Sequence, residues 1–156
     1  MSKHIVEETE NGKYYYDFNN PDKYHRLDGP AIEYTSGDKV WYQNGKRHRE
    51  DGPAVESADG SKEWLQNGLF HREDGPAIEY ANGTKKWYQS GNLHREDGPA
   101  VEYTNGTKAW YQSGNLHRED GPAIESANGS KSWYLEGVEY TEEEFLKKTC
   151  KPTCAD

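Results

Sequence analysis

The chain has 156 residues, carries a net charge of −9, and draws only 19 positions from Leu, Ile, Val and Phe. So few aliphatic side chains at that charge exclude an ordinary aliphatic globular core and fall in the range of disordered chains. Twelve Tyr and five Trp point the other way, because aromatic rings bury large areas with few rotatable bonds. No apolar run reaches the length of a membrane-spanning helix, and Met1 to Asn20 is charged and tyrosine-rich where a signal peptide would be apolar. A soluble, cytoplasmic protein is expected.

Residues 1–24 come first. Asn11-Gly12 followed by Lys13-Tyr14-Tyr15-Tyr16 reads as a degenerate capping hairpin, with Tyr16 in the place that later copies give to Trp. Residues 25–139 are five copies of one 23-residue unit, opened by His25, His48, His71, His94 and His117. The unit reads H-R-x-D-G-P-A-[IV]-E-x-x-x-G-x-K-x-W-x-x-x-G-x-x and holds 15 of the 16 glycines and every Trp. A motif restated at fixed period is a stack of one supersecondary unit whose copies touch only their neighbours. With a glycine every eight or so residues, no helix fits inside it.

Within the copy from His94, Asp97-Gly98-Pro99 bends, Ala100 to Thr104 is a strand, and Asn105-Gly106 turns, giving the stronger hairpin signal. Thr107 to Gln112 returns, and Ser113-Gly114 turns again. A three-residue loop with a glycine bulge sets Glu102 opposite Lys108 and places the invariant Ala, Glu, Lys and Trp on one face. The other face takes Ile or Val, the Tyr/Ser alternation Tyr34, Ser57, Tyr80, Tyr103 and Ser126, and the variable set Val40, Glu63, Lys86, Ala109 and Ser132.

Residues 140–156 close the chain. Thr141-Glu142-Glu143-Glu144 is a capping box leading into a helix whose Phe145 and Leu146 would cover the last sheet edge. Cys150 and Cys154 are read as a reduced pair, with a local disulfide or a shared metal as the alternatives. The expected fold is all-β: an elongated single-layer antiparallel sheet of stacked 23-residue β-hairpin repeats, about twelve strands and on the order of 55 Å long, with a short C-terminal α-helix.

The stretch Trp41 to His48, W-Y-Q-N-G-K-R-H, with a second aromatic strand 23 residues on, resembles the MORN repeat in its D-G-P-A variant over residues 25–139. The resemblance implies one β-hairpin per repeat, an elongated curling sheet, and a protein-interaction role. Some members of that family are linked to phospholipids. Chains made almost wholly of this variant resemble proteins of bacteriophages and large DNA viruses. Arg26, Arg49, Arg72, Arg95 and Arg118 stand where such repeats usually carry Gly, which weakens the transfer of a lipid role.

Five equal copies give no reason for one His to be activated, so no enzyme is expected and no cofactor. The spacing H-R-x-D could supply two metal ligands. The structural alternative, which we prefer, has each Asp accepting backbone N–H groups at its bend and each His bonded to or packed on a neighbouring repeat. The Trp row reads as a structural spine more than as a stacking platform for sugars or bases. Net charge runs +1, −3, 0, −1 and −3 along the repeats, without the basic stripe that direct nucleic-acid binding needs. The expected function is a non-enzymatic scaffold that binds another protein, in its concrete form a viral modulator or inhibitor of a host defence protein. An acidic nucleic-acid mimic on a host enzyme is the alternative, and lipid attachment the weakest. Partner contacts should break the repeat symmetry, which selects Glu63, Phe70, Tyr80, Lys86, Tyr88, Tyr103 and Tyr111.

Overall fold

Two kinds of turn alternate along the chain, and together they set the architecture. In the computed structural model, which describes residues 3–150, Val101–Glu102 pairs with Lys108–Ala109, Val101 facing Ala109 and Glu102 facing Lys108. Tyr103 N donates to Thr107 O at 2.9 Å, leaving the three-residue loop Thr104, Asn105 and Gly106 with only the glycine at positive φ. This is the bulged register read from the sequence. The second turn is tighter: Gln112 faces Asn115, and Ser113 and Gly114 both have positive φ, at 49° and 86°. The mirror-image two-residue turn is therefore at Ser113-Gly114, not at Asn105-Gly106, where the sequence reading placed the stronger signal. Its first position takes an ordinary L-residue, which conceals it.

Fourteen strands, from His4–Thr9 to Val138–Tyr140, form one antiparallel sheet. This exceeds the expected dozen, because the N-terminal cap supplies three strands and the last repeat continues without a break through Lys131–Leu135. Copies join edge to edge, Lys85 facing Glu102 and Lys86 facing Val101, so Glu and Lys alternate along the whole sheet. Beyond each of the first four Trp the chain enters a short second hairpin such as Tyr88–Gln89 with Asn92–Leu93. Single bonds tie these hairpins to their neighbours, Gly91 N to Phe70 O and Arg72 N to Tyr88 O.

The core is correspondingly thin. Ala31, Ala54, Ala77, Ala100 and Ala123 are fully buried on one face, and Ile32, Val40, Ile78, Val101 and Ala109 are buried on the other. No large side chain among the described residues is fully buried.

At the N-terminus His4–Thr9 pairs with Gly12–Asp17, and Gly12 passes the next strand so closely that a Cβ would lie 2.3 Å from Glu33 O. Tyr15, not Tyr16, occupies the Trp place: its N–H donates to Ala31 O as that of Trp41 does to Ala54 O, and its ring carries Arg26. The cap has ten residues from Tyr15 to His25 where a repeat has seven from Trp41 to His48, so the 23-residue register slips there. At the other end the helix Glu142–Thr149 starts on the capping box at Thr141 and Glu144 and buries Phe145, while Leu146 stays half exposed. Of the two side chains expected to cover the last edge, only Phe145 is buried. Cys150 is exposed at the helix C-terminus; Cys154, and with it the question of pairing, lies outside the described residues.

Candidate functional site

One face is organised by the arginines. In each rung the Arg Nε donates to the Asp two residues on, at 2.8–3.0 Å. One Nη1 donates both to the Pro carbonyl and to the strand Glu, at 2.8–3.2 Å. The same guanidinium lies 4.0–4.1 Å from the ring centre of the Trp eight residues back, from Arg49 on Trp41 to Arg118 on Trp110. This placement corrects two expectations. The strand Glu bonds to Arg and not to the Lys facing it, because the long guanidinium reaches over the sheet while the Lys extends into solvent. The Asp carboxylate accepts from the Arg Nε and not, as expected, chiefly from backbone N–H groups at its bend. The guanidinium beside it is the main cause holding Asp51, Asp74, Asp97 and Asp120 below the usual carboxylate range.

The histidines tie the opening of each copy to its own second turn, whereas the preferred reading bonds or packs them on a neighbouring repeat. His25, His48, His71, His94 and His117 each accept through Nδ1 from a backbone N–H nineteen residues on, at 3.0–3.1 Å. Each donor is the non-glycine residue of positive φ in the second turn of the same copy, from Asn44 to Glu136. The His Nδ1 atoms and the Asp carboxylates are thus committed to backbone and to Arg.

The opposite face carries all seven symmetry-breaking residues. Its main row runs Ile32, Val40, Val55, Glu63, Ile78, Lys86, Val101, Ala109, Ile124 and Ser132 in register. Glu63 and Lys86 are its only charges, and they flank Ile78. Both are half buried and partly engaged: Glu63 pairs with Arg47 at 3.8 Å, and Lys86 Nζ lies 5.4 Å from the Tyr80 ring centre. Phe70, in the second hairpin, faces Leu65 and packs on Tyr88 with ring centres 5.2 Å apart. Tyr80 and Tyr103 are exposed, whereas burial raises the hydroxyl pKa of Tyr88 and Tyr111. The neighbouring hydroxyls of Tyr80, Tyr111 and Tyr103 raise that of Tyr88 further. The structure therefore gathers Phe70, Tyr80, Lys86, Tyr88, Tyr103 and Tyr111 into one aromatic patch over three consecutive copies, with Glu63 at its edge.

Sequence reasoning missed a second aromatic group on the cap. Tyr16 stacks on Tyr24 at 5.0 Å, Tyr24 meets Tyr42 at 5.3 Å, and Tyr14 meets Tyr34 at 6.1 Å. Its signal is the Tyr14-Tyr15-Tyr16 run, in which the sequence reading gives a role to Tyr16 alone. Compared with models of known protein families and with curated proteins, the chain matches none. No helix among the described residues is long and apolar enough to cross a membrane. The aromatic face can offer ring area and hydroxyl hydrogen bonds over a broad, shallow surface, which suits another protein better than a small molecule.

Proposed function

We propose that the chain is a non-enzymatic repeat scaffold that binds another protein through the aromatic face centred on Tyr88. The observation that carries this reading is the break in symmetry. The opposite face restates one Arg, Trp, Asp and Glu rung, while on this face Phe70, Lys86 and Tyr88 are set together without an equivalent in the other copies. Tyr, Phe and Trp are enriched at protein interfaces, and half-buried rings already fixed by neighbours lose little entropy on binding. Resemblance of the D-G-P-A copies to phage and large-DNA-virus chains makes a modulator of a host protein the concrete form of the proposal.

Affinity capture on the intact chain and on the double variant Tyr88→Ser/Tyr111→Ser, at low and high salt, tests it. The expected partner is retained by the intact chain at both salt concentrations and lost by the folded double variant. A partner kept by the variant but released by salt would favour acidic mimicry instead.

A further inference from the structure

The other face has four open grooves, one between each pair of successive rungs, each of about 660–780 Å³. One wall is the Arg and Asp of a rung, and the other is the Trp, Gln, His and acidic pair of the next. In the first groove His48 is nine-tenths buried. Its Nδ1 accepts from Asn67 N, so the ring proton is on Nε2, and Nε2 has no hydrogen-bond partner. The nearest carboxylate, Glu50, is 3.7 Å away. The same His and Glu recur at His71 with Glu73, His94 with Glu96 and His117 with Glu119, at 3.8–3.9 Å. These glutamates are 82–89% exposed at the groove lip and, unlike the aspartates beside them, have no Arg partner. His25 has Leu27 in that place, so the series begins at His48.

Each groove thus presents an uncommitted carboxylate beside an imidazole N–H, and two strands per copy repeat the pair every ~9.6 Å. A ligand that engages several rungs must match that step. In a β-strand, residues on one face recur at about 6.7 Å and 13.4 Å, neither of which fits. Seven residues of α-helix rise about 10.5 Å and fall out of step by about 1 Å per rung. Three residues of polyproline II rise about 9.3 Å, and every third side chain points the same way. That conformation makes no internal hydrogen bonds, so its carbonyls are free to accept.

We propose that this face binds an extended, polyproline II peptide with a cationic side chain at every third position. The cations pair with Glu50, Glu73, Glu96 and Glu119, and backbone carbonyls accept from the Nε2–H groups of His48, His71, His94 and His117. The site is separate from the aromatic face and stands or falls independently of it.

The test uses the whole chain and two synthetic peptides of one composition. One has repeated Pro-Pro-Lys triplets; the other has its lysines at alternating spacings of two and four residues. Tryptophan fluorescence reads binding, since a Trp lines each groove. The triplet peptide is expected to bind at least about tenfold tighter, and the preference is expected to vanish in Glu50→Gln/Glu73→Gln/Glu96→Gln/Glu119→Gln while persisting in Tyr88→Ser/Tyr111→Ser. Equal affinity at both spacings would reduce the face to a diffuse acidic surface and overturn the proposal. So would a preference that survives the four glutamine substitutions, or tighter binding of a helical peptide with lysine at every seventh residue. The spacing comparison needs no variant, so a folding defect cannot rescue the idea.

Discussion

Arg72 and Gly75 approach so closely that a Cβ at position 75 would lie 3.0 Å from the guanidinium carbon. The glycine of Asp-Gly-Pro is therefore not required by its backbone angles; it is required by the Arg. Gly75→Ala should cost about 1–3 kcal/mol, the usual range for forcing extra atoms into a filled place. The guanidinium cannot swing aside without leaving Asp74, Glu79, Pro76 and Trp64. A double-mutant cycle by urea melts checks this: Gly75→Ala in an Arg72→Ala background should cost far less than alone. Additive losses would mean that the contact is incidental.

The same arginines predict how stability depends on pH. Asp51, Asp74 and Asp97 have their carboxyls held below the ordinary range by Arg49, Arg72 and Arg95. A folded value below the unfolded value of about 3.9 stabilises the fold above that pH and is lost as pH falls through the depressed values. The denaturation midpoint should therefore drop below about pH 4 as these carboxyls take up protons. Asp74→Asn should make the acid limb shallower. An acid limb unchanged by that substitution would assign the loss to other carboxylates.

What was legible in the sequence depended on whether partners lie a fixed number of residues apart along strands. Glu102 facing Lys108 follows from loop length, and Thr141 with Glu144 follows from helical spacing. The arginine network was illegible because Arg95 meets Asp97, Glu102 and Trp87 around the Asp97-Gly98-Pro99 bend, where the path of the turn and not a strand register decides which side chains meet. The seven candidate contact residues fell on one face because register alone decides faces. That Glu63 and Lys86 are half buried was not visible, since it depends on how Arg47 and Tyr80 lie over them.

The Trp spine should be uneven. Trp87 carries Arg95 on its ring, whereas the matching place eight residues after Trp133 is Thr141, which has no guanidinium to stack. Trp87→Ala should cost about 3 kcal/mol or more through lost burial and a stranded Arg, and Trp133→Ala clearly less. Denaturant melts giving equal losses would show that the stacking contributes little.

The five second turns offer a gain of stability. Each needs a non-glycine residue at φ near 50°: Asn44, Asn67, Ser90, Ser113 and Glu136. Asn tolerates this region better than Ser or Glu, because its short amide can bond locally. Asn44 and Asn67 show that the turn accepts it, and in both copies the backbone N–H still donates to the preceding His. Ser113→Asn and Glu136→Asn should therefore each stabilise the chain by roughly 0.5 kcal/mol, a few degrees in melting temperature at most. The His94 and His117 bonds to those amides should be unchanged, since residues 113 and 136 contribute only their backbone N–H. The control is Asn67→Ser, which should lose about what the others gain. If all three variants melt together with the parent, the His Nδ1 bond alone holds the turn, and side-chain preference at this position has no weight.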